Sequence, residues 1–226
     1  MRLRVAAATT MSGLATLLLW PSARAAEPTA ADLESSLQRK YSGVRDFAAD
    51  FTQERTGGPL NKRQIQRGKV QVKKPGMMRW EYEAPEKKLF VSDGLKMWTY
   101  IPQDRQVFVT SLPPDDTATT PLLFLAGKGD LTRDFVSSLT PTPPGVPSGS
   151  RALKLTPKTP QPDYEWVRLT FDPVTLALNG LSTLDAQGSE STFAFSNWKN
   201  NIGVPFDRFV FKIPKDVDVV TDDSSR

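Results

Sequence analysis

Cysteine and histidine are both absent from the 226 residues. Without cysteine there is no disulfide to staple the fold, no thiol to acylate and no thiolate for a metal. The core must therefore hold the chain together unaided, and some 200 residues can bury enough surface to do so. Without histidine, Ser-His-Asp and Cys-His nucleophilic machinery and the usual zinc sites are excluded. No cofactor and no metal are expected, and most hydrolase chemistry is gone.

An apolar run long enough to span a bilayer is missing too. Residues 5–20 are apolar, but the run is short and diluted by Thr, Ser and Gly. Arg2 and Arg4 precede it, and Ala23-Arg24-Ala25 fits the small-x-small cleavage rule. The expectation is a secretory signal peptide over residues 1–25, leaving residues 26–226 as one domain. The charge argument then changes. Removing Arg2, Arg4 and Arg24 lowers Lys plus Arg from 29 to 26 against 25 acids, so the net charge falls from +4 to about +1. A nucleic-acid footprint has little support, and no nucleic-acid partner is expected.

What is present is period. Thr29-Ala30-Ala31-Asp32 matches a helix-capping pattern, and Leu33, Leu37 and Tyr41 form one stripe on a helix ending near Ser42-Gly43. The period then drops to two. Phe47, Ala49 and Phe51 alternate with Ala48, Asp50 and Thr52. Val70 and Val72 face opposite to Arg67, Lys69, Gln71 and Lys73, and Met78, Trp80 and Tyr82 opposite to Arg79, Glu81 and Glu83. By the same parity Lys74 belongs to the apolar face, where a lone cation needs a partner or a rim. Asp93-Gly94 predicts a tight hairpin. Alternation returns after a Pro/Gly/Ser-rich loop at residues 140–150 and continues through Phe193/Phe195 to Phe209/Phe211/Ile213, with an acidic tail after Lys215 that should fray.

The count is ten or eleven antiparallel strands, one N-terminal helix and one short apolar interruption at residues 119–127. Such a sheet must curl, split or close to hide its apolar face. The interruption carries Thr120 as N-cap, Pro121 at the first helical position and Gly127 as terminator, with Leu122, Leu123, Phe124 and Leu125 between them. A helix apolar on every side is either a core plug or a lid over a cavity. The inward set Phe47, Phe51, Val70, Val72, Met78, Trp80 and Tyr82 is likewise either plain core or an adaptable apolar ligand site.

Other constellations are weaker. Ser196 and Lys199 have the spacing of some acyl-transfer enzymes, but residues three apart on a strand face opposite sides. Asp115-Asp116 sits in a Pro-rich loop, where adjacent acids are usually solvated. Gly127-Lys128-Gly129 lacks the strand-loop-helix order of a phosphate cradle. The run Lys62, Arg63, Arg67, Lys69 and Lys73 is a charged outer strand face, or else a contact for an acidic partner or an anionic membrane.

Taken in order, Leu37, Tyr41, Phe47, Phe51-Thr52-Gln53, Gly68-x-Val70, Lys73-Lys74-Pro75, Met78-Arg79-Trp80-Glu81-Tyr82, Val91-Ser92-Asp93-Gly94, Trp98, Tyr100, Thr120-Pro121-Leu122-Leu123 and Phe211-x-Ile213-Pro214 resemble the LolA family of lipoprotein carriers. The resemblance implies an incomplete, half-open antiparallel β-barrel under a helical lid, and a periplasmic carrier rather than an enzyme. It also implies acylated lipoproteins as cargo, an inner-membrane lipoprotein-releasing ABC transporter as donor and an outer-membrane lipoprotein receptor as acceptor. A monomer is expected. The inward set would line the acyl-chain cavity, with Leu122, Leu123, Phe124 and Leu125 as the lid. In that family the basic residue before the proline, usually arginine, latches the lid; here it is Lys74, which has three donors but no planar fork. The receptor shares the fold but is itself acylated on cysteine, which this chain lacks. A regulatory or lipid-binding module on the same fold is the alternative.

Overall fold

The computed structural model describes residues 27–57, 63–112 and 125–222. Helix α1 runs over Ala30–Ser42 behind a capping box: the Asp32 N–H donates to Thr29 Oγ1 (3.2 Å) and the Thr29 N–H to Asp32 Oδ2 (3.0 Å). Leu33, Leu37 and Tyr41 are its buried stripe, and Gly43 is its C-cap.

Twelve strands follow: β1 (Asp46–Gly57), β2 (Gln64–Lys73), β3 (Met77–Ala84), β4 (Lys88–Asp93), β5 (Lys96–Ile101), β6 (Gln106–Ser111), β7 (Phe135–Thr140), β8 (Arg151–Pro157), β9 (Trp166–Phe171), β10 (Leu178–Leu184), β11 (Ser189–Asn200) and β12 (Asp218–Asp222). A one-turn helix α2 (Leu131–Asp134) precedes β7, and a 3-10 turn (Phe206–Phe209) precedes β12. All twelve strands lie in one sheet, ordered β12-β6-β5-β4-β3-β2-β1-β11-β10-β9-β8-β7. The chain walks outward from β1 to β6, restarts at the far edge with β7 and returns to β1 through β11. The sheet is open, because β12 and β7 end it without pairing to each other.

Two expectations are corrected here. The tail does not fray throughout, since β12 pairs in parallel with β6, joining Asp218 to Gln106 and Val220 to Phe108. Arg105 secures the approach, donating from Nη2 to the Asp216 carbonyl (2.6 Å) and accepting the Asp218 N–H at its own carbonyl (2.9 Å). Phe209, Phe211 and Ile213 do not form a strand either. Phe209 closes the 3-10 turn and is buried with Met77 and Val204 on the outer face of the sheet. Pro205 and Pro214 bracket this stretch, and each lacks an amide donor at its own position.

The inner face holds the main core. Phe47, Phe51, Val70, Met78 and Trp80 from one wing join Leu153, Leu169, Leu181 and Phe193 from the other, under Leu33, Leu37 and Tyr41 of α1. Gly68 makes the densest part possible. A Cβ there would stand 2.0 Å from the Glu81 carbonyl oxygen and 2.8 Å from Cζ of Phe51. Gly68→Ala is expected to cost about 1–3 kcal/mol by overpacking, read as a lower midpoint in urea. An unchanged midpoint would show that β2 and β3 can separate without penalty.

Glu34 of α1 is buried against β7, with Oε2 accepting from Ser137 Oγ (3.0 Å) and Oε1 without a partner. Burial raises its pKa, more than the Ser137 hydrogen bond and the nearby Lys158 lower it. A raised carboxyl stabilises the fold below its unfolded pKa, and that stability is lost as pH rises through the folded value. Glu34→Gln cannot ionise. Its melting temperature relative to wild type is therefore expected to rise from about pH 4 to neutrality, by ~2–4 °C for each kcal/mol involved. A pH-independent difference would contradict this account.

Candidate functional site

The seven inward residues meet on one surface. Phe47 and Phe51 come from β1, Val70 and Val72 from β2, and Met78, Trp80 and Tyr82 from β3; none is more than 9% exposed. Their rings interlock. Phe51 lies 5.0 Å from Trp80 and 4.9 Å from Tyr82 between centroids, while Trp80 lies 5.4 Å from Phe193 of β11. Tilted and edge-on ring pairs at such distances are favourable beyond the area they bury. The Tyr82 hydroxyl donates to Gln53 Oε1 (2.8 Å), and Gln53 Nε2 donates to Ser191 Oγ (2.7 Å). Burial pushes the Tyr82 phenol well above its ordinary pKa, so it is neutral. The Trp80 indole nitrogen, by contrast, is buried without a partner among the described residues.

Phe193, Phe195 and Trp198 of β11 belong to this surface and were missing from the set predicted by parity. Trp198 stacks on Phe47 with centroids 4.2 Å apart and meets Phe195 edge-on at 5.3 Å. The first two alternate visibly in the sequence. Trp198 does not, because the β1–β11 register shifts between Ala48 and Asp50, and Asn197 takes a positive φ of 53°. The irregularity resets the parity and turns Trp198 to the same side as Phe195.

Lys74 lies just past the end of β2, half-buried. Its Nζ donates to the carbonyl of Tyr41, in the last turn of α1, where a cation is favoured by the helix dipole. Its stem runs beneath Gly127, where a Cβ would lie 2.6 Å from Lys74 Cδ. Burial lowers its pKa. The backbone on either side is held as well: the Lys74 N–H donates to the Arg45 carbonyl (2.8 Å) and the Gly76 N–H to the Ala126 carbonyl (2.9 Å). The Tyr41 ring is fixed in turn, its hydroxyl accepting the Leu178 N–H (2.8 Å), with burial raising its pKa to about 12. Lys74 thus joins the end of α1 to the turn at residues 125–128.

That turn is the described end of the apolar interruption. Leu125 is helical and buried, and Gly127 has a φ of +82°. Leu122, Leu123 and Phe124 lie outside the described residues, as do Asp115, Asp116 and Lys62. Gly127-Lys128-Gly129 packs on Lys74 and Gly76. Among the outward basic residues, Arg63 pairs with Glu54 (2.6 Å), Lys69 with Glu83 (3.3 Å), and Lys73 donates to the Val204 carbonyl (2.7 Å). These contacts are those of a charged outer face.

The seven residues themselves lie buried. Two open clefts, of about 420 and 500 Å³, lie elsewhere: one on the outer face by Lys69, Arg79 and Arg208, touching the seven only at Val70, the other beside Lys74, Ser42 and Asn201. Among the described residues no group of three or more Asp, Glu, His or Cys could hold a metal, and no helix is long and apolar enough to cross a membrane.

An open sheet whose apolar face is closed by a helix and a pinned turn defines a shell for binding apolar matter. The chain belongs to the LolA family: residues 42–212 match its model, described as outer membrane lipoprotein carrier protein LolA. An outer-membrane lipoprotein carrier protein of Chromohalobacter salexigens is 34% identical over 198 residues, covering 86% of each chain. One from Chromobacterium violaceum is 29% identical over 198 residues, covering 88% of this chain and 92% of its own. In fold alone, an uncharacterized conserved protein from Thermus thermophilus superposes with a TM-score of 0.50 at 14% identity, covering 85% of this chain and 99% of that one.

Gly127→Ala combines a strained φ with a clash on the Lys74 stem, and Lys74→Met keeps the stem but removes the ammonium from the Tyr41 carbonyl, which keeps the Val44 N–H (3.2 Å). Each is expected to cost about 1–3 kcal/mol and to raise binding of an apolar fluorescent dye by the folded protein. A loss of stability with no gain in dye binding would mean that the turn does not cover the apolar face.

Proposed function

We propose that this chain is a periplasmic carrier that takes acylated lipoproteins from an inner-membrane releasing ABC transporter and passes them to an outer-membrane receptor. Residues 1–25 serve as its export signal, and it works as a monomer. The observation that carries the reading is the apolar surface of Phe47, Phe51, Val70, Val72, Met78, Trp80 and Tyr82, gathered on three adjacent strands and buried in the closed form. The named relatives support it, being outer-membrane lipoprotein carriers that match most of this chain.

The energetics set the task. Each methylene of an acyl chain avoids water by roughly 0.8 kcal/mol, so a sixteen-carbon chain holds back about 11 kcal/mol from free diffusion. A carrier must offset that cost and still release its load. The seven residues are buried under α1 and Leu125, so loading parts that cover from the sheet. Lys74 and the turn at residues 125–128 act as the latch, with Leu122, Leu123, Phe124 and Leu125 as the lid. Ring-on-ring contacts exchanged for ring-on-chain contacts leave a modest net preference, which suits transfer in both directions.

Purification from the periplasm followed by mass spectrometry is expected to recover bound acylated peptide. Finding none, together with failure to accept lipoprotein from inner-membrane vesicles that carry the releasing transporter, would overturn the reading.

A further inference from the structure

Trp80 is only 2% exposed, and its indole N–H has no hydrogen-bond partner among the described residues. Aromatic rings stand close to it. Phe51, Phe193 and Phe195 stand around it at centroid distances of 5.0, 5.4 and 6.4 Å. The neighbouring polar pair, Tyr82 and Gln53, is already satisfied. Two other buried polar atoms lack partners among the described residues, Glu34 Oε1 and Arg168 Nε, but each side chain has another atom engaged, to Ser137 and to Glu190. Trp80 has a single polar atom, and it is idle.

An unpaired buried donor is costly, and buried tryptophans usually find a partner. Phenylalanine would fill most of the same space without that cost. A bridging water is a poor remedy, since it needs two to four polar partners and the walls are rings. The idle donor therefore makes physical sense if an acceptor arrives with the ligand. An indole donates and cannot accept, whereas an ester carbonyl accepts and cannot donate.

We infer that the Trp80 N–H donates to a carbonyl oxygen of the bound acyl group, so that the site distinguishes acyl chains from plain alkyl chains. This rests on the carrier reading and deepens it. Loading satisfies a donor that the closed form leaves unpaired, which offsets part of the cost of opening. Trp80 is thus a specificity-determining residue, with the carbonyl of an ester or an amide as its acceptor.

The test is a double-mutant cycle between protein and ligand. The probes are a dipalmitoylglyceryl-cysteine peptide, its dihexadecylglyceryl ether analogue, and the ether analogue carrying an N-palmitoyl amide. Wild type is expected to bind the ester peptide about tenfold more tightly than the ether peptide. Trp80→Phe is expected to bind the two alike and to be no less stable when empty. If the amide is the acceptor instead, N-palmitoylation restores the tenfold gain in wild type but not in Trp80→Phe. A second readout needs no variant to fold: the indole N–H proton resonance of wild type should move downfield with a carbonyl-bearing probe and not with the plain ether. Equal binding of all probes by wild type, or discrimination that survives in Trp80→Phe, overturns the inference and leaves the carrier standing. Failure of wild type to bind any probe overturns both.

Discussion

Phe51 is the constraint on which the rest of the structure depends. It sits at the middle of β1, the strand that joins the two wings of the sheet, opposite Gly68 on β2 and Phe195 on β11. Its ring touches the rings of Trp80 and Tyr82 on one side and lies 5.9 Å from Phe193 on the other. A Cβ at position 68 would stand 2.8 Å from Cζ of Phe51, so glycine there makes room for the ring. The apolar face is continuous because one ring and one missing Cβ coincide.

A face built this way must be covered in water, yet a carrier must be able to uncover it. The structure reconciles these demands by keeping the adhesive and the fastening apart. Aromatic contacts supply non-directional adhesion across the face. The fastening is directional and lies at the margin: Lys74 to the Tyr41 carbonyl, Gly76 to the Ala126 carbonyl, and Gly127 seated on the lysine stem. A lysine reaching a carbonyl through a single contact is a lighter fastening than a guanidinium fork would be.

Much of the architecture was legible because period-two alternation is written residue by residue. The helix from Thr29, the β1–β3 faces, the Asp93-Gly94 hairpin and the outward charges all follow from local pattern. The pattern failed where partners are distant. The strand at Asp218–Asp222 is short and acidic at both ends, and it exists because β6 offers a free edge to Val219 and Val220. Phe209 reads as part of an alternating strand, but the prolines on either side each lack an amide donor and Met77 supplies a pocket on the opposite face. Trp198 was hidden because a register shift across two strands changes parity at a point that neither strand marks alone.

The sequence by itself determined which residues are apolar, in what period, and that a lone lysine stands where an apolar face is expected. Those properties belong to side chains and their spacing along a strand. The tertiary structure alone decided that Lys74 reaches back to the end of α1, that β11 completes the aromatic surface, and that the Trp80 indole finds no acceptor among the described residues. Each depends on what arrives from far along the chain, and spacing along a strand carries no information about that.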